Sequence, residues 1–320
     1  MKDNDKLDLV YCFDENYIHQ TVTSAYSFLN NYSDSIRLNL LTNNPEKLRD
    51  AMSPLYNFQN LESINVYKFK KNKEFLFPAI ENHYVTEATY YRLFLNEYLP
   101  QKTKKLLYLD SDVITMNDVT NEVKNIFHKL IDENEYLGAT NYTKSINENN
   151  AILLKSLNMK SSKYFNAGVL FINYELWKKD NTFSKILSHS NTMINLDTLM
   201  QHDQDILNSY FDGKFLELDK KYNFPIFERF YKIDKDTIDN ESFFIHYVGR
   251  EKPWLLNGFF LEISKYYQET YKIFNKNYHI VFKKRLGFKD ITKNFKMKYF
   301  ISPKKLFSLI RVILSYFFKL

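Results

Sequence analysis

The sequence predicts an α/β fold built around a mostly parallel sheet flanked by helices, and three observations predict it. Apolar runs of strand length recur between stretches of helical period, an alternation that winds a parallel sheet with helical crossovers. One run, Leu106-Leu107-Tyr108-Leu109, ends at once in Asp110-Ser111-Asp112, and open α/β sheets gather ligands beyond the carboxyl ends of their strands. The chain has 320 residues, enough for one large domain with an appendage or for two domains, with a core that needs no staples.

Taken in order, Leu7–Phe13 (LDLVYCF) reads as the first strand. Glu15–Asn30 reads as a helix, with Val22, Ala25, Tyr26 and Leu29 on one face. Ile36–Thr42 (IRLNLLT) is a second strand, and Pro45 opens the next helix at the position proline favours. Ser63–Phe69 is a third strand. Thr86–Tyr98 has helical spacing, with Ala88, Tyr91, Leu95 and Tyr98 sharing a face and Arg92 beside it. The run into Asp110 follows, then a strand at Tyr136–Tyr142. Thr143–Asn150 is polar and reads as a loop able to act as a lid. Phe165-Asn166-Ala167-Gly168 leads into an apolar strand ending at Asn173, and Trp177 stands at the start of a helix. Gln201–Asn208 is a polar cluster opening a short helix. Ser242–Val248 is a last strand, running into Gly249-Arg250-Glu251-Lys252-Pro253-Trp254.

Composition removes several function classes. There is a single cysteine, Cys12, so neither an internal disulfide framework nor a cysteine-rich zinc site is possible, and a reducing compartment fits. The six glycines form no G-x-G-x-x-G after a strand and no P-loop, so a nucleotide would not be held in a glycine cradle. The start is charged and lacks the apolar core of a signal peptide. No stretch has the length of a transmembrane helix. The expected location is the cytoplasm, peripheral on the inner face of the plasma membrane.

Charge is unevenly placed. The net charge is +6, but residues 281–320 hold eleven Lys and Arg against one Asp, leaving −4 for the rest. From Pro303 onward, Lys304, Ser308, Arg311, Ser315 and Lys319 recur at helical spacing between Leu306, Phe307, Ile310, Leu314 and Phe317. A helix with a basic stripe and a broad apolar face suits an anionic membrane surface. The same pattern also fits a helix docked on the domain with its charges outward. The expected division is a domain over residues 1–260 and a basic helical region over 261–320.

The chemistry centres on the two carboxylates. Like charges this close repel unless a cation offsets them, and a hard divalent metal can join carboxylates to a substrate phosphate. Asp-x-Asp alone is also what a capped turn looks like. Further along, His246 closes a strand and precedes Gly249 and Lys252, which can approach and neutralise a phosphate. Two carboxylates and an imidazole suit Mn²⁺ somewhat better than Mg²⁺.

Asp14-Glu15-Asn16-Tyr17 after the first strand, Asp110-x-Asp112, Phe165-Asn166-Ala167-Gly168, Asp203-Gln204-Asp205, and His246 with Gly249-x-x-Lys252-Pro253-Trp254 form an ordered set. In that order the set resembles glycosyltransferase family 8, over residues 7–258. The resemblance implies a GT-A fold and a metal-dependent, retaining transfer of galactose or glucose from a UDP-sugar. By similarity, Asp110, Asp112 and His246 would ligate the metal. Asp14, Asn16 and Tyr17 would bind the nucleotide, Tyr17 by stacking on uracil. Arg92, Ser111, Ala167, Gly249 and Lys252 would meet the diphosphate and the donor. Asn166, Asp203 and Gln204 would hydrogen-bond the sugar, with Asp203 and Gln204 at the catalytic position. Trp254 reads as packing. Phe13 is larger than the residue the family often carries before its first Asp, and Arg250-Glu251 adds charge within the Gly249–Lys252 turn.

The implied acceptor is a glycan, a glycoprotein or a glycolipid, including lipopolysaccharide or teichoic-acid precursors, and no nucleic acid is expected as a partner. Retention is compatible with front-face attack or with a covalent intermediate. Two other readings stand beside the transferase. A nucleotidyltransferase of similar architecture would carry a Gly- and Lys-rich first loop, which is absent after Phe13. A non-catalytic membrane-surface binder would have no need of the metal-type residues.

Overall fold

A computed structural model describes residues 6–71, 75, 77, 86–143, 150–195, 199–226, 235–259, 261–281, 307 and 310. The chain divides into two compact units. One comprises Met1–Phe224 with Asp239–Ile245, the other Pro225–Ile238 with His246–Leu320.

The first unit is organised by a seven-stranded sheet. Its strands are β1 (Leu7–Phe13), β2 (Ile36–Thr42), β3 (Leu61–Lys68), β4 (Lys105–Leu109), β6 (Leu137–Thr140), β7 (Val169–Asn173) and β8 (Leu216–Leu218), in the order β3-β2-β1-β4-β7-β6-β8. Every neighbouring pair is parallel except the two that β7 makes, with β4 and with β6. The sheet is mostly parallel, as expected, with one reversed strand next to β4. A separate three-stranded sheet joins β5 (Val113–Thr115), β10 (Phe244–His246) and β9 (Phe224–Pro225).

β1 and β2 are buried at all seven positions each, as strands covered on both faces are. The polar residues of IRLNLLT do not face water. Arg37 lies opposite Asp8 in the register and grips its carboxylate with Nε at 3.0 Å and Nη2 at 2.6 Å. Asn39 Nδ2 donates to the same carboxylate at 3.0 Å. β3, at the edge, is only half buried.

Helix α1 (Ile18–Asn30) follows a short 3₁₀ turn at Glu15–Tyr17. Its buried polar residues are all spent on neighbours. Ser24 Oγ meets Tyr11 Oη at 3.0 Å, and Ser27 Oγ accepts from Thr115 N at 3.0 Å. The segment Glu87–Glu97 is a 3₁₀ helix rather than the expected α-helix. Tyr90 through Leu95 are all buried there, so the segment is packed all round instead of presenting one apolar face.

Several helices were not expected from the sequence. Among them are α2 (Thr120–Asp132), α3 (Asn150–Ser156) and α5 (Thr182–Asn195). α2 buries Val123, Ile126, Phe127 and Leu130, a helical stripe that the sequence does contain. Between α3 and α5 lies α4 (Tyr174–Lys179), with Trp177 inside it. α6 (Asp203–Phe211) opens within the polar cluster, as expected, and α7 (Lys235–Glu241) follows.

The second unit carries α8 (Leu256–Phe259) and α9 (Lys265–Phe274). Trp254 is 2% exposed with its ring 5.0 Å from that of Tyr267, so it packs, as read from the sequence. Gln268 ties the unit together, donating to the carbonyls of Pro253 and His279, both at 2.8 Å. The loop expected over 143–150 and the amphipathic helix expected after Pro303 lie outside the described residues, apart from Thr143, the start of α3, Phe307 and Ile310. Phe307 and Ile310 are helical and exposed. No helix among the described residues is long and apolar enough to cross a membrane.

Candidate active site

β4 ends at Leu109 and hands the chain to a tight turn. Asp110 N donates to Gly168 O at 2.8 Å, and Val113 N returns to Asp110 O at 3.2 Å. Within the turn, Ser111 Oγ lies 2.8 Å from Thr21 Oγ1. Thr21 already donates its proton to Tyr17 O at 2.8 Å, so Ser111 is the donor between them. The Asp-Ser-Asp turn and the Tyr17 backbone are thus tied through one turn of α1. Asp14 caps that region, its carboxylate accepting from Asn16 N at 2.8 Å. Asp14 is buried, Tyr17 half-buried and Asn16 exposed, so Tyr17 is not a core residue.

Arg92 is the electrostatic centre of the site. It is 8% exposed and sits against Tyr108, whose ring centroid lies 4.1 Å from Cζ. Nη2 reaches Asp110 Oδ1 at 2.9 Å, Nε reaches Asp203 Oδ2 at 2.8 Å, and Nη1 donates to Ala167 O. It is therefore no surface ion pair. An apolar pocket that includes Trp177, Phe183, Ile186 and Leu207 lies on one side of it. Burial works against the guanidinium charge, but the carboxylates of Asp110 and Asp203 outweigh it and hold its pKa above the usual value. Asp203, 2% exposed, has its pKa pushed up to about 6, by burial first and by the Asp110 charge second, with Arg92 and the Thr89 hydroxyl opposing. Tyr108 Oη also donates to Asp110, at 2.8 Å.

α6 is docked on the Phe165–Gly168 segment by side-chain amides. Asn208 Oδ1 accepts from Phe165 N at 2.7 Å and its Nδ2 donates to Phe165 O at 2.8 Å. One turn earlier, Gln204 Oε1 accepts from Ala167 N at 2.9 Å. The spacing matches, because four helical residues rise about 6 Å and two extended residues about 6.7 Å. Asn166 turns its Oδ1 to Gly168 N and Asn223 Nδ2, both at 2.9 Å. Immediately before Asp203, His202 has φ +56° and ψ −127°, a region costly for a side chain with a Cβ. Strain at the entry of α6 is thus held next to Asp203 and Gln204.

β10 begins with Phe244 and Ile245 and ends at His246, which is 4% exposed. Asp110, Asp112 and His246 each offer a ligand atom, all within 4.8 Å of one another. Two carboxylate oxygens and one imidazole form a fitting donor set for a divalent cation. Farther along, Gly249 has φ +88° with nothing within 4 Å of an added Cβ, so glycine is required there by the backbone and not by crowding. Gly258 is the reverse case, where a Cβ would fall 2.1 Å from Lys252 O. Lys252 is buried, and its Nζ donates to Tyr247 O at 2.6 Å.

Asp110, Arg92, Ala167, Asn166, Asp203 and Gln204 thus form one connected network with the Asp-Ser-Asp turn. Sequence reasoning missed Tyr108, Tyr164, Asn208 and Asn223 as its supports. For Asn208 a signal was present, in its spacing of four from Gln204. For the others, only the tertiary pairing reveals the role.

Comparison with known proteins gives the family and the fold. The model of glycosyl transferase family 8 matches residues 8–258. General stress protein A of Bacillus subtilis (strain 168) is 27% identical over 278 residues, covering 80% of this chain and 90% of that protein. Lipopolysaccharide 1,3-galactosyltransferase of Salmonella typhimurium is 27% identical over 281 residues, covering 84% and 78%. Among solved structures, galactosyltransferase LgtC in complex with donor and acceptor sugar analogues matches with a TM-score of 0.66 at 23% identity, covering 86% of this chain and 98% of that one. At that identity the likeness is one of fold, and the fold is the one the sequence resemblance implied.

Proposed function

The chain belongs to glycosyl transferase family 8, and from that premise we propose that it moves a hexose, galactose or glucose, from a UDP-sugar to a surface glycan, glycoprotein or glycolipid acceptor with retention at the anomeric carbon. The observation that carries the reading is the Asp110, Asp112 and His246 cluster at the end of β4, beside the Arg92-centred network. Those three residues would hold the divalent cation, Mn²⁺ in preference to Mg²⁺ on donor chemistry. Bound there, the cation would act as a Lewis acid toward the leaving diphosphate.

The chain's own residues divide the remaining work. Tyr17, half-buried at the start of α1, offers a ring for the uracil, while Asp14 and Asn16 hold that turn. Ser111, Gly249 and Lys252 would meet ribose and diphosphate. Asn166 has its Oδ1 spent on Gly168 and Asn223, so the end it would offer a sugar hydroxyl is Nδ2. Arg92 holds Ala167, Asp110 and Asp203 in place, and so fixes the donor pocket from behind. Asp203 and Gln204 would face the hexose. The Salmonella relative is named for a lipopolysaccharide galactosyltransferase activity, which supports a lipid-borne glycan as acceptor. The basic stripe from Lys304 to Lys319 would hold the enzyme on an anionic membrane where such acceptors are found.

The test is donor hydrolysis across a panel of nucleotide sugars, with thermal shift in UDP, Mn²⁺ and both. Turnover of UDP-galactose or UDP-glucose, with stabilisation that needs both UDP and Mn²⁺, supports the reading. Stabilisation by neither, with no turnover of any donor, overturns it.

A further inference from the structure

Gln204 is held at both ends of its amide, and the polarity of the hold is fixed. Ala167 N can only donate, so the end 2.9 Å from it is Oε1. The other end, Nε2, therefore donates, and its acceptor is Tyr164 Oη at 3.1 Å. Tyr164 can accept there because its own proton goes elsewhere, to Asp205 Oδ1 at 2.6 Å. The second oxygen of Asp205 accepts from Met200 N at 2.6 Å and Gln201 N at 2.5 Å. Tyr164 is 1% exposed and Asp205 0%, so water does not compete for these bonds. A single directed chain runs from the backbone before α6, through Asp205 and Tyr164, to the Gln204 amide.

We propose that Tyr164 and Asp205 are positioning residues for Gln204. They select one of the two amide orientations and hold the Gln204 carbonyl oxygen toward the Ala167 edge, where the donor sugar would lie. The inference rests on the reading that Gln204 faces that sugar. A flipped amide would set Nε2 against Ala167 N, donor to donor, and would present the wrong polarity to the reacting centre. The supporting chain makes the flip unfavourable because Asp205, as a carboxylate, can only accept, and so keeps the Tyr164 oxygen available to Nε2. A residue one hydrogen bond from a catalytic group and two from its anchor acts through geometry, and misplacement of about 1 Å can cost roughly 100-fold in rate.

The experiment uses the full chain with Mn²⁺ and whichever UDP-hexose the donor panel identifies. Tyr164→Phe keeps the ring and removes the relay oxygen. Asp205→Asn keeps the volume and removes the obligate acceptor. Each variant is expected to fold, by circular dichroism, and to lose roughly 10- to 100-fold in kcat with KM within about threefold of wild type. In a Gln204→Ala background neither substitution should lower kcat by more than about twofold, because the group through which it acts is already gone. If folded Tyr164→Phe and Asp205→Asn keep kcat within about twofold, or if their losses persist undiminished on Gln204→Ala, the positioning role is wrong and the chain serves only to cap α6. A wild-type enzyme with no turnover of any nucleotide sugar would sink the catalytic reading itself, and this inference with it.

Discussion

Replacing Arg92 by Met would expose how the site's charges are balanced. Met fills much of the space of the aliphatic stem but removes every donor of the guanidinium. Asp203, 2% exposed, would lose the ion pair from Nε at 2.8 Å, and Asp110 the one from Nη2 at 2.9 Å. Breaking a buried pair from one side costs about 3–5 kcal/mol, since it strands the other charge. Asp203 dominates that figure, because Asp110 is partly exposed and better solvated.

The loss should depend on pH, and its sign is set by Asp203. Its folded pKa of about 6 lies above the ordinary carboxylate value of about 3.9. The folded state therefore binds the proton more tightly than the unfolded state. Ionised Asp203 disfavours the fold above pH 6, and stability improves as pH falls from about 6 toward 4. Arg92 is what restrains that pKa, so in Arg92→Met it climbs further. The deficit relative to wild type should be full at pH 8 and visibly smaller at pH 5, where the variant's Asp203 is neutral. Urea unfolding at the two pH values measures this, and thermal unfolding at pH 8 should show Tm falling by about 4–7 °C. Adding Asp203→Asn to Arg92→Met should recover much of the loss. A deficit under about 1 kcal/mol, or one unchanged between pH 8 and pH 5, would refute the argument.

The remaining predictions concern the metal, the reaction, the sheet and the tail. Asp112→Ala should keep the fold, abolish turnover and remove the stabilisation by UDP that requires Mn²⁺; near-normal, equally metal-dependent activity would exclude a ligand role. Gln204→Ala should lower kcat more than it raises KM, whereas a pure KM effect would assign Gln204 to ground-state donor binding. Asp8→Ala should cost about 3–5 kcal/mol by removing the buried carboxylate that Arg37 grips, while Asp8→Leu with Arg37→Met should fall within about 1 kcal/mol of wild type or above it; chemical denaturation of all three decides. Truncation after residue 300 should abolish co-sedimentation with anionic liposomes at low salt and leave UDP-sugar hydrolysis largely intact. Failure of the full-length chain to sediment, or an inactive truncation, would instead mark the tail as part of the folded body.

The sequence by itself determined the parts that depend on local pattern. β1 and β2 were legible at their observed bounds, because a strand buried on both faces needs an unbroken apolar run or polar residues that pair internally. The turn at Asp110–Asp112 was legible because a short apolar strand ending in two carboxylates has few physical resolutions. The Phe165–Gly168 and Asp203–Asp205 segments were legible as an ordered set that only a family resemblance could join.

Tertiary structure decided what those residues touch. In IRLNLLT the alternation of Arg37 and Asn39 with leucines has the period of a half-exposed strand, yet β2 is wholly buried because Asp8 on the adjacent strand pairs with both side chains. Arg92 has the spacing of a helix-surface residue, but the 3₁₀ course of Glu87–Glu97 and the acids at positions 110 and 203 make it an internal clamp. The reversal of β7 next to β4 was not visible either, since strand direction is set by the path of the connection and leaves no mark on the period of the side chains. Hydrogen-bond polarity in the Gln204–Tyr164–Asp205 chain is of the same kind. It depends on which donor meets which acceptor across 40 residues of sequence, and only the folded chain brings them within reach.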